Sequence, residues 1–175
     1  MPKSNIRNTS YSSSRAEPAA LRHTVYTDYA LRLLMYVAVK EDGLATIAEV
    51  AERYDISRNH LMKVAHQLGI AGYLETIRGR SGGLRLARPP ADINLGDVVR
   101  HTEQDMALVP CMSPVDAACA IRPSCLLKRA LDRATAAFLG VLDEYSLGDL
   151  VKPRHALRNL LDLGPLPRRP ARARA

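Results

Sequence analysis

The chain has 175 residues, 47% of them hydrophobic and 25% charged, with a formal net charge of +7. That balance fits one ordinary globular domain with appendages. No apolar run reaches bilayer length, and the opening MPKSNIRNTSYSSSRAEPAA holds no apolar run of signal-peptide length, so no bilayer-spanning segment and a cytoplasmic location are expected.

With no Trp and a single Phe, the core must be aliphatic. The charge is segregated. Residues 1–22 carry four basic residues and one acidic, and residues 152–175 carry seven basic and one acidic, which leaves the middle of the chain slightly acidic. Within that middle, residues 53–88 hold seven Arg or Lys against two acids, a basic face of the kind nucleic acid requires.

The first twenty or so residues and the closing GPLPRRPARARA are read as disordered. Structure is expected from Thr27, an N-cap candidate, because Ala30, Leu33, Leu34, Val37 and Ala38 recur at helical spacing before Gly43. Thr46 and Glu49 have the capping-box pattern of a second, short helix. After the Tyr54-Asp55-Ile56 turn, Ser57 is placed to cap a third helix whose apolar face is Leu61, Val64, Ala65 and Leu68. Two short helices across a tight turn form a helix-turn-helix, the second being the recognition helix. The alternating LETIR and LRLA segments flank a Gly-rich turn, predicting a β-hairpin wing with Arg78, Arg80 and Arg85 near its tip. Asn94 caps a short helix over LGDVVRHTE, a cysteine loop covers about 105–125, and a long amphipathic helix runs from Leu126 to about Tyr145. Its stripe of Leu127, Ala130, Leu131, Ala134, Phe138 and Leu142 must pack either on a partner copy or on its own domain.

Cys111, Cys119 and Cys125 are the only cysteines, spaced C-x7-C-x5-C. An odd count without secretory context argues against disulfides, and three clustered thiols suit a soft metal or an iron–sulfur cluster with one ligand still to be supplied. In the third helix, Asn59 and His60 are the expected base readers and Arg58 and Lys63 are expected at phosphates, with Ser57 at the helix start also expected at DNA. The turn Gly79-Arg80-Ser81-Gly82-Gly83 lets backbone approach DNA closely. It lacks the Gly-x-x-x-x-Gly-Lys pattern of a nucleotide-binding loop, and no constellation suggests catalysis, so an enzyme is not expected.

Four stretches together resemble the winged-helix iron–sulfur regulators of the Rrf family: TVYTDYALRLLMYVA, ISRNHLMKVAHQLGIAGYLETIRGRSGGLRLA, the cysteine loop, and FLGVLDEYSLGDLV. The resemblance implies a homodimer on a palindromic operator with one cluster per subunit. It is strongest to the nitric-oxide-sensing branch, which implies a repressor of nitric oxide detoxification genes with a [4Fe-4S] cluster. Cys111, Cys119 and Cys125 match the three thiolate ligands, and Asp28 in YTDYA matches a fourth ligand donated by the other subunit. The branch that senses iron–sulfur status carries a His where this chain has Lys128. Seven residues between the first two cysteines exceed the family's usual four or five. The family's Met-Arg-Leu-Thr start aligns with Leu21-Arg22-His23-Thr24, leaving the first twenty residues as either an extension or a stretch upstream of the true start.

The expectation is therefore a mostly α protein with a small β-hairpin wing. Residues 1–21 are a tail, 22–90 a winged helix-turn-helix domain, 91–151 a cluster loop with a dimerisation helix, and 152–175 a disordered basic tail. Three rivals stay open: a [2Fe-2S] regulator of redox or iron–sulfur status, a structural zinc site, and a cluster-bearing redox or electron-transfer protein.

Overall fold

The computed structural model describes residues 25–40, 43–103, 106–112 and 119–164. The two terminal stretches read as tails, 1–21 and the end of the chain from 165, lie outside the described residues, as do 113–118 within the cysteine loop.

Helix α1, Val25–Val39, is apolar on nearly every side, so it is driven into the interior. Ala30, Leu33, Leu34 and Val39 are fully buried. Thr27 is not an N-cap. The helix starts two residues earlier, and the Thr27 hydroxyl, fully buried, donates to Thr102 Oγ1 at 2.8 Å across the core. A hydroxyl buried that deeply needs a partner, and it finds one on another helix rather than at its own helix start.

Helix α2, Ile47–Tyr54, opens on the expected capping box. Thr46 Oγ1 accepts from Glu49 N at 3.2 Å, and Glu49 Oε2 accepts from Thr46 N at 2.7 Å. The turn to α3, Arg58–Ile70, passes through Asp55 in the left-handed region at φ 52°, a conformation Asp tolerates better than most residues. Leu61, Val64, Ala65 and Leu68 then face the core. Strands β1, Leu74–Ile77, and β2, Gly83–Leu86, pair antiparallel with Leu74 opposite Leu86. Ala45, just before α2, adds a short third row by exchanging hydrogen bonds with Leu84 at 3.0 and 2.7 Å. The wing is thereby tied to the base of the helix-turn-helix.

Helix α4, Leu95–Thr102, is capped by Asn94, whose Oδ1 accepts from Asp97 N at 3.1 Å. Helix α5, Leu126–Asp143, has no buried residue among the described ones. Its expected stripe divides. Leu131 and Leu142 turn partly inward, whereas Leu127 (63% exposed), Ala130, Ala134 and Phe138 face outward. Helix α6, Leu147–Leu150, follows behind a second capping box of Ser146 and Asp149.

The segment after Val151 departs from the expected disordered tail. Residues 154–160 form helix α7, which packs on α1. Leu161 joins the core, and Arg158 is 1% exposed. Its guanidinium donates to Val39 O at 3.0 Å, Leu163 O at 2.6 Å and Gly164 O at 3.0 Å. Arg53 of α2 pairs with Asp162 at 2.6 Å. The sequence hid this because a buried Arg reads as surface charge, and its carbonyl partners leave no side-chain pattern.

Two outcomes follow from this architecture. Arg158→Ala leaves buried carbonyls unpaired and a void at the end of α1, so it is expected to cost about 3 kcal/mol in urea unfolding, with a chain ending at Val151 losing at least as much. Glu49 gives a pH signature: burial raises its carboxyl, but hydrogen bonds from Lys40 and Thr46 outweigh burial and hold it below the ordinary 4.5. A depressed carboxylate stabilises the fold above its unfolded value and loses that contribution as pH falls below it. Thermal unfolding should show Glu49→Gln less stable than wild type at neutral pH, with the gap closing in acid.

Candidate DNA-binding head and metal centre

Among the residues expected at DNA, Ser57, Arg58, Asn59, His60 and Lys63 are all exposed on the start of α3. Ser57 occupies the N-cap position, yet its side chain makes no capping hydrogen bond. The first amides of α3 therefore lack a side-chain cap, which suits them to a phosphate oxygen. His60 is placed differently from its neighbours. Its ring stacks on Tyr29 of α1, 6.1 Å between centroids at 29°, and so leans toward the domain rather than outward.

In the wing, Arg78, Arg80 and Ser81 are exposed at the turn. Arg85 is not a tip residue. It lies in β2 opposite Glu75, to which its Nε and Nη2 atoms donate at 2.8 and 2.6 Å, so its charge is largely engaged. The glycines also serve inward. A Cβ on Gly83 would come within 2.8 Å of Ala45 O and of the Leu44 side chain, so this position must be Gly for the wing to close on Ala45. Gly82 is packed as tightly against the turn's own backbone, while Gly79 supplies a positive φ of 121°.

The three cysteines are all half-buried. Cys111 lies in a 3-10 turn, 110–112, that packs on α5. Cys119 is followed by a second such turn, Arg122–Ser124, and Cys125 is the N-cap of α5, its Sγ accepting from Lys128 N at 3.4 Å. The Lys128 side chain turns away to Asp132 at 2.7 Å. Among the described residues no group of three or more His, Cys, Asp or Glu side chains is gathered closely enough to hold a metal. The thiols thus share one segment without forming a closed ligand set. The donor set nonetheless fits a soft metal or cluster, being three half-buried sulfurs. Beside Cys111's turn, a cavity of about 410 Å³ is lined by Met106, Met112, Thr135 and Leu139, and the buried Thr135 hydroxyl has no partner among the described residues.

Asp28 sits in the first turn of α1, half-exposed, and pairs with Arg32 one turn on at 2.8 Å. Arg32 in turn lies over the Tyr54 ring of α2, 5.7 Å from its centroid. Asp28 is therefore accessible and is not part of the cysteine segment of its own chain. The join between α4 and α5 has no signature in the sequence. Arg100 grips Asp143 with two hydrogen bonds of 2.7 and 2.6 Å, and Asn94 Nδ2 donates to Asp143 O at 2.8 Å. The Arg100 hydrogen bond outweighs the small burial and holds the Asp143 carboxyl below its usual range. No local pattern signals a pair 43 residues apart.

Comparison with known proteins supplies the family. The sequence profile of the Rrf2 family, described as an iron-dependent transcriptional regulator, matches residues 23–153. The HTH-type transcriptional regulator NsrR of Bacillus subtilis is 49% identical over 144 residues, covering 82% of this chain and 99% of that protein. The regulator of the same name from Shouchella clausii is 48% identical, covering 79% of this chain and 93% of its own length. Among solved structures, CymR, the global cysteine regulator of B. subtilis, superposes with a TM-score of 0.59 at 27% identity, covering 76% of this chain and 98% of that one. IscR of T. potens has a TM-score of 0.63 at 24% identity over 79% of this chain and 92% of its own, a likeness of fold. The chain belongs to the Rrf2 family of winged-helix transcriptional regulators and is not an enzyme.

Proposed function

We propose that this protein is an iron–sulfur-dependent transcriptional repressor that works in the cytoplasm as a homodimer on operator DNA. It senses nitric oxide and controls nitric oxide detoxification genes. The observation that carries the reading is the placement of all three cysteines, half-buried, in the one segment between the DNA-binding head and α5. Cys111, Cys119 and Cys125 would hold a [4Fe-4S] cluster, with Asp28 of the partner subunit as its fourth ligand. When bound, the cluster supplies iron that reacts with nitric oxide.

What the chain itself contributes is the linkage. Cys125 starts α5, so ligation there fixes the near end of that helix, while Arg100 and Asn94 fix the far end to α4. The outward Leu127, Phe138 and Val141 of α5 offer an apolar face for a second copy. Asp28 is a harder and weaker donor to iron than thiolate, so it is the ligand most easily given up. If it held the cluster, it would tie α1 of one subunit to the loop of the other; unligated, it pairs with Arg32 one turn on, as here. Since α1 packs on α3, that tie would bear on the spacing of about one DNA turn that a palindrome demands of two recognition helices. Ser57, Arg58 and Lys63, with Arg78, Arg80 and Ser81 of the wing, would hold phosphates, Asn59 would read bases, and Gly82 and Gly83 would shape the wing turn.

Anaerobic purification with iron, sulfide and zinc analysis, followed by nitric oxide titration on operator DNA, tests the reading. About four iron and four sulfide per chain are expected, whereas about two of each means a [2Fe-2S] regulator, and a colourless zinc protein refutes the cluster. Each of Cys111→Ala, Cys119→Ala and Cys125→Ala is expected to abolish stable cluster loading while leaving the circular dichroism spectrum helical; Asp28→Ala is expected to load a weaker cluster with altered nitric oxide kinetics. On DNA, Arg80→Ala should weaken binding to all sequences and reduce the salt slope by about one. Asn59→Ala should instead cost roughly 1–3 kcal/mol on operator only.

A further inference from the structure

Asn59, Met62, Lys63 and His66 follow one another at the i, i+3, i+4, i+7 spacing of a single helix face, and all four are exposed. Three of them are polar. Met62 is the exception, 52% exposed in the midst of a basic surface. The core side of α3 is already filled by Leu61, Val64, Ala65 and Leu68, so packing within the domain does not account for Met62. His60 is drawn off this face by its stack on Tyr29.

On the face left over, a flexible apolar side chain is covered only by whatever docks there. The edges that base pairs display in the major groove are polar with one exception, the C5-methyl group of thymine. A thioether with three rotatable bonds adapts readily to such a contact. Ile70, 68% exposed, is the other apolar residue outward on α3, but it ends the helix, whereas Met62 lies in the first two turns where recognition helices meet bases.

We infer that Met62 is a specificity-determining residue that reads a thymine methyl in each half-site. The base-reading pair of α3 is then Asn59 and Met62, with His60 a residue that braces α3 against α1. This assignment rests on the reading of α3 as the recognition helix.

The test uses full-length, anaerobically purified protein and a random-sequence duplex library. Each thymine of the enriched half-site is then replaced by deoxyuridine, which removes only the methyl group. At one thymine, wild type is expected to lose roughly fourfold in affinity, the equivalent of one buried methyl, and Met62→Ala to bind both duplexes equally. Met62→Gln, close in length, is expected to shift selection at that position toward adenine. The assignment is overturned if wild type discriminates at no thymine, if Met62→Ala keeps the difference, or if Met62→Gln still selects thymine. Failure of the library to enrich any sequence, or enrichment unchanged by Asn59→Ala, overturns the recognition-helix reading and this assignment together.

Discussion

Helix α1 buries eight of its fifteen residues, and α2, α3, α4, α6, α7 and strand β2 all pack on it. Each fully buried leucine contributes roughly 2 kcal/mol, so Leu33 and Leu34 alone represent a sizeable part of what holds a small domain together. The polar atoms that such a helix takes into the interior must be met there. Thr27 at its start is met by Thr102 of α4, and the Val39 carbonyl at its end is met by Arg158 of the α7 segment. The two ends of the central helix are thus fixed by parts of the chain 75 and 119 residues away.

That arrangement gives α1 a position between the two functional regions. Its first turn carries Asp28, half-exposed and paired with Arg32, and the next residue, Tyr29, touches the recognition helix through His60. A change in what Asp28 binds is therefore applied to a helix that the core does not allow to bend freely. Rigid packing of this kind passes a displacement on instead of absorbing it. The cation–π contact of Arg32 with Tyr54 adds a second route, into α2.

Helix α5 obeys a different constraint. Its C-terminal end is clasped by Arg100 and Asn94, and its start is the cysteine segment, but no residue along it is buried in the single chain. Apolar side chains such as Leu127 and Val141 remain open along a helix of 18 residues. An amphipathic helix held at its ends, with apolar side chains open between them among the described residues, is the physical basis for the proposal that it meets a second copy.

Local chemistry made much of this legible in the sequence. The capping boxes at Thr46 and Asn94's cap depend on residues three apart, the helix faces on the 3.6-residue period, and the wing on alternation around glycines; all of these are short-range, and all are present. The cysteines could be picked out as a set because they are the only three and lie in one segment. They do not gather into a ligand set among the described residues, and the fourth donor proposed for them would come from a second copy of the chain. What tertiary structure alone decided are the pairings distant in sequence: Thr27 turned from cap to core, Arg85 set beside Glu75, His60 stacked on Tyr29, and Arg158 taken from tail to interior. In each case a polar side chain had two uses, and spacing along the chain cannot choose between them. For Thr27 and Arg158 burial chooses, because a polar group removed from water takes whichever partner the packed core brings within reach.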